Sequence, residues 1–361
     1  MPELPEVEAA RKRLEAIAKG RRIKSVVTWD DPIVYSGTTH ANFATAIEGK
    51  EVLDVRRLGK NFYMILSSPP HPIFHFGMSG MAHVRGQASP VYRVPRGQSP
   101  DATAWPPEKY CKLAIAFEGP DGEVGDWAFC DPRRLGRIKL VDVDEAELLR
   151  VAPLGDLGAD PLLAMPSPEA LAEVFAKRSA PIKAVLLDQN GPFCGIGNYM
   201  ADEILYQAKM HPSLPASFLA DPAQIDLLAT LHAQIQAVTL AAVAVDADAK
   251  RFPDNWLFKF RWGKGKKKGK EELFVLPDGS TSTISHLTVG GRTSAVVDSV
   301  QILPAAAATT KPKRQKRRVK KEEEVEEANG GADADDTPAS PPPRKRTRSN
   351  VTSPHFKPKQ S

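Results

Sequence analysis

The sequence predicts an α+β multidomain chain: an N-terminal helix plus β-sandwich, a helical domain, a small strand-rich unit and a C-terminal tail that does not fold. Three observations carry this. Apolar residues recur at helical spacing over residues 5–20 and again in several segments between 145 and 245. Short alternating apolar runs, punctuated by Gly, Pro and Asp, fill most of 51–141 and 256–301. Beyond Leu303 the hydrophobes needed for a core run out. The boundaries drawn are 1–144, 145–250, 251–303 and 304–361.

Pro5 to Gly20 places Val7, Ala10, Leu14 and Ile17 on one helical face and stops at Lys19-Gly20. Glu51 to Ser67 alternates as two strands about a turn at Gly59-Lys60-Asn61. Ile73 to Phe76, Lys112 to Glu118 and Ala128 to Val141 repeat the strand signature at intervals typical of a sandwich, with a Pro-, Gly- and Ser-rich insertion at 86–109. Helices are expected at Glu145–Val151, Pro168–Lys177, Ile182–Asn190, Asn198–Lys209 and Asp221–Val245. Strands return at Leu257–Phe260, Leu273–Leu276, Thr281–Ser285 and Ser294–Val300. The first hairpin there carries a basic tip, Gly263 to Lys270.

The chain has 361 residues and a formal charge of +5, but the charge is misplaced for bulk attraction. Residues 304–361 hold 14 Lys+Arg against 8 Asp+Glu, leaving 35 against 36 in the rest. Nucleic-acid affinity in the folded part must therefore come from local patches. Cys111, Cys130 and Cys194 are widely spaced and form no CxxC pair, which argues against a disulfide framework or a thiolate zinc site. No secretory leader and no uninterrupted apolar run of membrane-spanning length is seen, so an intracellular protein that does not act at a membrane is expected.

Chemistry concentrates at Pro2-Glu3-Leu4-Pro5-Glu6. Removal of Met1, sterically easy before Pro2, leaves a secondary amine. An α-amino group has a pKa of about 7.7–8.0 against about 10.4 for lysine, so it is far more often a free base at neutral pH. It is a candidate nucleophile for imine chemistry, with Glu3 near enough in sequence to move its proton. The same residues also suit a plain helix start, where Pro and Glu are favoured. A second feature is the glycine-punctuated link Gln189 to Gly197 ahead of Asn198. Its amides could hold a phosphate, or its glycines could merely allow a tight αα turn. Gly291-Arg292-Thr293 and the lysine tip could ride on a phosphate backbone or be solvated loops. The clusters Lys313 to Arg318 and Pro341 to Arg346 flank an acidic spacer and suggest nuclear targeting.

Read together, Pro2 to Glu8, Gly59-Lys60-Asn61, His75 to Gly80 with Asp131 to Gly136, and Gly195 to Asn198 resemble the formamidopyrimidine-DNA glycosylase and endonuclease VIII family. The resemblance spans residues 2 to about 300. It implies a β-sandwich, a helix-two-turns-helix module and a β-hairpin finger. It also implies a bifunctional glycosylase and abasic-site lyase that excises oxidised bases in base-excision repair. By this resemblance Pro2 is the nucleophile at the deoxyribose C1′, Glu3 the general acid and Glu6 the second acid of the pocket. Lys60 completes the catalytic set from its turn by contacting phosphates flanking the lesion, as do His75, Asn198 and Arg292. Met78, Arg133 and Leu135 fill the gap left by the flipped nucleotide. Extrusion costs a few kcal/mol of stacking and pairing, which such side chains offset in part; from the residues alone, Met78 and Leu135 would read as core.

The chain departs from that family in three ways. Residues 256–301 hold no cysteine, so the finger is of the zincless eukaryotic type and no metal or organic cofactor is implied. The wedge commonly aromatic in bacterial members is Leu135. Only Asp246 to Asn255 stands where bacterial members carry a longer loop over 8-oxoguanine. Formamidopyrimidines, hydantoin-type guanine lesions and abasic sites become better substrates than 8-oxoguanine, and the partner expected is double-stranded DNA bound by a monomer. Two rivals stand beside this reading: a non-catalytic damage-binding protein of the same fold, and a chromatin or RNA binder acting through its tail.

Overall fold

Helix α1 (Leu4–Ala18) begins at Glu3, whose extended backbone (φ −114°) forms the cap, with Pro5 in the first turn. It carries two apolar surfaces: Val7, Ala10, Leu14 and Ala18 enter the sandwich core, whereas Leu4 enters the core of the helical module. Full burial of Leu14 contributes roughly 1.5–3 kcal/mol. The computed structural model describes residues 2–87, 105–261 and 274–308. Most of the 86–109 insertion, the Gly263 to Lys270 tip and residues 309–361 lie outside them.

Eight antiparallel strands follow: β1 (Arg21–Thr28), β2 (Glu51–Leu58), β3 (Asn61–Leu66), β4 (His71–His75), β5 (Met81–Val84), β6 (Cys111–Glu118), β7 (Val124–Cys130) and β8 (Arg137–Val141), in the order β5-β7-β6-β1-β2-β3-β4-β8. Strand β1 meets β2 only at Arg21–Val52 and Arg22–Glu51 but runs along β6 with a bulge between Ile23 and Ser25. The ribbon folds over at that weak seam, giving the two leaves of the expected sandwich. Trp127 and Phe129 of one leaf interlock with Phe62 and Phe74 of the other, at centroid separations of 5.2–6.4 Å. The β2–β3 turn is Gly59-Lys60 alone, because Asn61 already pairs with Leu58.

The helical module comprises α3 (Pro168–Ala176), α4 (Ile182–Leu187), α5 (Asn198–Gln207) and α6 (Ile225–Ala244); α2 (His40–Ile47) lies earlier, between β1 and β2. Residues 222–244 are long and apolar enough to cross a membrane, yet Leu228, Leu231, Ile235 and Val238 of α6 face the module's core. Three expectations are revised. Glu145–Arg150 is a 3-10 turn rather than an α-helix. Leu257–Lys259 is a 3-10 turn rather than a strand, because the buried Glu203 carboxylate accepts the Phe258 N–H and pins it. Ala305–Ala308, placed in the unfolded tail, is a helical turn whose Ala307 docks on the helical core.

The finger is built from β9 (Phe274–Val275) with β10 (Thr281–Ser282), and β11 (Ile284–Val289) with β12 (Arg292–Val297). Gly290-Gly291, both at positive φ, close the second hairpin. Phe274, Ala295, Val297, Tyr206 and Leu257 form its core, without any thiol. The fully buried Lys183 ammonium of α4 binds Asp202 (2.5 Å), the Ser294 hydroxyl and the Thr293 carbonyl, so a lysine on the helical module grips the finger. Arg261 binds the other Asp202 oxygen. The described residues group as one unit.

Candidate active site and nucleic-acid interface

Residue Glu3 caps two helices at once. Its backbone begins α1, and its amide donates to Glu6 (2.8 Å). Its carboxylate accepts the N–H groups of Tyr199 (3.0 Å) and Met200 (3.1 Å), the orphan donors opening α5, 196 and 197 residues away. Those amides are thus occupied by Glu3 rather than offered to a phosphate, which revises the anion reading of this link. The glycines of the link serve the approach: a Cβ on Gly197 would stand 2.1 Å from the Glu3 Cδ, and one on Gly195 would strike Leu4. Leu4 N–H donates to the Gly195 carbonyl (3.1 Å), and the Gln189 amide braces Gly195 and Ile196.

Burial pushes the Glu3 carboxyl up, with Lys60 and the two α5 amides opposing. Burial, reinforced by the Glu3 charge, pushes Glu6 up to about 8, so Glu6 is mainly protonated at neutral pH. Lys60 reaches over from the β2–β3 turn and donates to the Ile196 carbonyl (2.9 Å). Its burial lowers the ammonium, while Glu3 supports it and Arg292 opposes it. The turn itself is fixed from below: Asp160 accepts the Gly59 N–H and holds the Arg57 guanidinium, which also binds Glu8. Pro2, Glu3, Glu6 and Lys60 are therefore brought to one place, and Pro2 is buried there.

His75, at the end of β4, accepts the Gly77 N–H on Nδ1 (3.0 Å). Burial, then Lys60, lowers it to about 4, leaving a neutral ring with its proton on Nε2 as a donor. Asn198 opens α5 and donates to the Thr293 carbonyl (3.0 Å), while Arg292 is exposed beside the Gly290-Gly291 turn.

The gap-filling candidates sit on two loops pressed together, since a Cβ on Gly77 would lie 2.2 Å from the Leu135 carbonyl oxygen. Met78 is 40% and Leu135 37% exposed, which rejects a core role for both. Arg133 is exposed as well, whereas Arg134 is tied to Asp31. Asp131, fully buried, gathers the Ser79 hydroxyl and the amides of Arg133 and Gly136, so one carboxylate shapes both loops. Residues Arg57, Asp160 and Lys183 escaped the sequence reading as supports because their partners lie elsewhere along the chain; Asp131 fell inside a quoted motif, but its tie to Ser79, 52 residues away, did not show.

Residues 1–138 match the family model for the formamidopyrimidine-DNA glycosylase N-terminal domain, and residues 157–254 that for its H2TH domain. The chain is 41% identical over 303 residues to a formamidopyrimidine-DNA glycosylase of Arabidopsis thaliana, covering 84% of this chain and 71% of that one. It is 30% identical to one from Methylorubrum extorquens, over 84% and 99% of the two chains. The crystal structure of a Lactococcus lactis formamidopyrimidine-DNA glycosylase bound to DNA containing an abasic site superposes with a TM-score of 0.62 at 23% identity, over 83% of this chain and 99% of that one, and so shares the fold. With two family domains in order over a sandwich, a helical module and the Glu3 contact joining them, the chain belongs to the formamidopyrimidine-DNA glycosylase family.

Proposed function

We propose that the protein is a bifunctional DNA glycosylase and abasic-site lyase acting on oxidised purines in nuclear base-excision repair. The observation that carries this is Glu3, held in a buried pocket by the α5 amides next to Pro2 and facing Lys60. After loss of Met1, the Pro2 amine attacks the C1′ of an extruded deoxyribose. The Pro2 N–C1′ bond forms as the glycosidic bond to the base breaks, and the base leaves with the proton lost from the amine; C1′–O4′ then opens with O4′ taking a proton from Glu3, and the resulting iminium acidifies the 2′ position for elimination on the 3′ and then the 5′ side. Glu3 shuttles the proton, and Glu6, kept largely protonated, orients Glu3 without adding a second charge. Lys60, His75, Asn198 and Arg292 grip phosphates, while Met78, Arg133 and Leu135 occupy the gap.

Formamidopyrimidines, hydantoin-type lesions and abasic sites are the preferred substrates, because Leu135 offers no stacking surface and the 246–255 segment is short. The basic clusters of the tail support a nuclear address. Borohydride reduction with abasic duplex should leave an adduct on the N-terminal peptide. Trapping that survives a blocked terminus would sink the proline mechanism, and tight binding with no strand cleavage would favour a non-catalytic binder.

A further inference from the structure

Strands β6 and β7 set Cys111 opposite Cys130. The flanking backbone bond runs from the Asp131 N–H to the Tyr110 carbonyl (2.9 Å), the pattern of a non-hydrogen-bonded pair. In such a pair the Cα atoms approach to about 4.5 Å and the side chains lie closer than elsewhere in the ladder. That separation lies inside the roughly 4.4–6.8 Å span of disulfides. Both thiols are free and buried, at 7% and 3% exposure, in a small cluster with Ala114, Ala128, Met81 and Trp105.

The two thiols face one another across the ladder and are unequal, and the Cys111 Sγ also lies 3.5 Å from the Leu113 carbonyl. The neighbouring Cys130 thiol holds Cys111 below the ordinary thiol range against burial, with the backbone at Leu113 and Lys112 and the Lys112 charge adding to it. Cys130 is pushed up, by the neighbouring Cys111 thiol and by burial. One sulfur is thus disposed to act as thiolate and the other to remain a thiol.

We propose that Cys111 and Cys130 form a dithiol that peroxide converts to a disulfide, altering the loops that carry Met78, Arg133 and Leu135. The Cys111 thiolate attacks one peroxide oxygen; the S–O bond forms as O–O breaks, and the departing hydroxide takes up the proton lost from Cys111 as water. Cys130 then displaces hydroxide from the Cys111 sulfenic acid, its own proton completing a second water. Two thiols lose two electrons, and peroxide is reduced to two waters.

The link to the loops is covalent and short. Cys130 is followed directly by Asp131, the carboxylate that holds Ser79, Arg133 and Gly136. On its other edge Cys130 pairs with Met81, two residues after Ser79. Closing the S–S bond rotates the Cys130 side chain and locks β7 to β6 one residue before the shared anchor of both loops, shifting it. Cys194 is a separate case, pushed up to about 12 by burial and lodged against the Gly59 turn. The loop half of this proposal rests on the excision reading, whereas the cross-link does not.

The test uses the full chain treated with hydrogen peroxide, alkylated and digested without reductant, beside the Cys111→Ala and Cys111→Val variants. A peptide joining Cys111 to Cys130 is expected only in the parent protein. Lesion excision should fall by roughly tenfold, less than the about 10²-fold of a 1 Å misplacement at the chemistry because the loops that move fill the gap and do not touch the reacting atoms. Binding to undamaged duplex should be unchanged, and dithiothreitol should restore the rate. Both variants should keep the unoxidised rate and resist peroxide. A link to Cys194, or thiols consumed without the Cys111–Cys130 peptide, overturns the pairing; a link that leaves excision unchanged overturns the coupling. Reduced protein that excises nothing sinks the excision reading, and the linked peptide then still supports the dithiol.

Discussion

Replacing Gly197 by alanine asks whether the Glu3 contact with α5 is the centre of the site. The new Cβ would lie 2.1 Å from the Glu3 Cδ, where ordinary contact begins at 3.4 Å, so the carboxylate must retreat by roughly 1 Å. That motion breaks the bonds from Tyr199 and Met200, at about 1.5–3 kcal/mol for each hydrogen bond to a charged group. Because the carboxyl can take up a proton when its donors leave, the lower end is the better figure, and a loss of about 3 kcal/mol is expected. A misplacement of this size should slow the reaction by about 10²-fold. Guanidinium unfolding reads the first quantity, and single-turnover cleavage of abasic duplex with borohydride trapping reads the second. In a Glu3→Ala background the steric cause is gone, so Gly197→Ala should be nearly neutral for stability, giving a large coupling in the double-mutant cycle. Equal cost in both backgrounds, or an unchanged cleavage rate in the single variant, would refute the reasoning.

Four further outcomes are expected. Burial raises Glu6 from 4.5 to about 8, so its contribution to stability is complete below pH 4.5 and is lost as pH rises through 8. Urea unfolding of the parent should weaken across that window more steeply than that of Glu6→Gln, and matching slopes would contradict the burial argument; Glu3 and Glu203, also raised by burial, leave a residual slope in both. Lys183→Met leaves buried Asp202 with Arg261 as its remaining cation beside the Ala295 N–H, and should cost about 3–5 kcal/mol by denaturation and loosen duplex binding. Arg292→Ala should weaken binding to all duplexes alike and lower the salt slope by about one ion; an effect limited to one lesion rules out phosphate contact. Leu135→Ala, at an exposed position, should change stability by less than about 0.5 kcal/mol while slowing excision, and a large stability loss would return Leu135 to a packing role.

The parts of the fold legible in the sequence were those whose pattern is local. Helix α1, the β2–β3 hairpin and helix α5 announce themselves by periodicity and punctuation. Strand β1 was missed because Arg21 to Thr28 buries only Ile23 fully, its apolar contribution hidden among charges. Helix α2 was missed because eight residues burying Phe43 and Ile47 are too short to show a period. Leu257 to Phe260 looked like a strand because its apolar run is real, but a carboxylate 55 residues earlier decides its conformation. The same holds for the candidate site. The motif residues Pro2, Glu3 and Lys60 could be read, whereas the service of Asp160 to the Lys60 turn, 101 residues away, depends on a contact that no local pattern encodes.

The double use of Glu3 also bears on how the molecule is made. The amides that receive the Glu3 carboxylate are synthesised 196 and 197 residues after it. A chain that ends before Tyr199 thus keeps Glu3 but lacks the two amides that hold its carboxylate. On the proposed mechanism the site is complete only once the helical module has closed on residues 2–6, and that closure can come only after Met200 has been made.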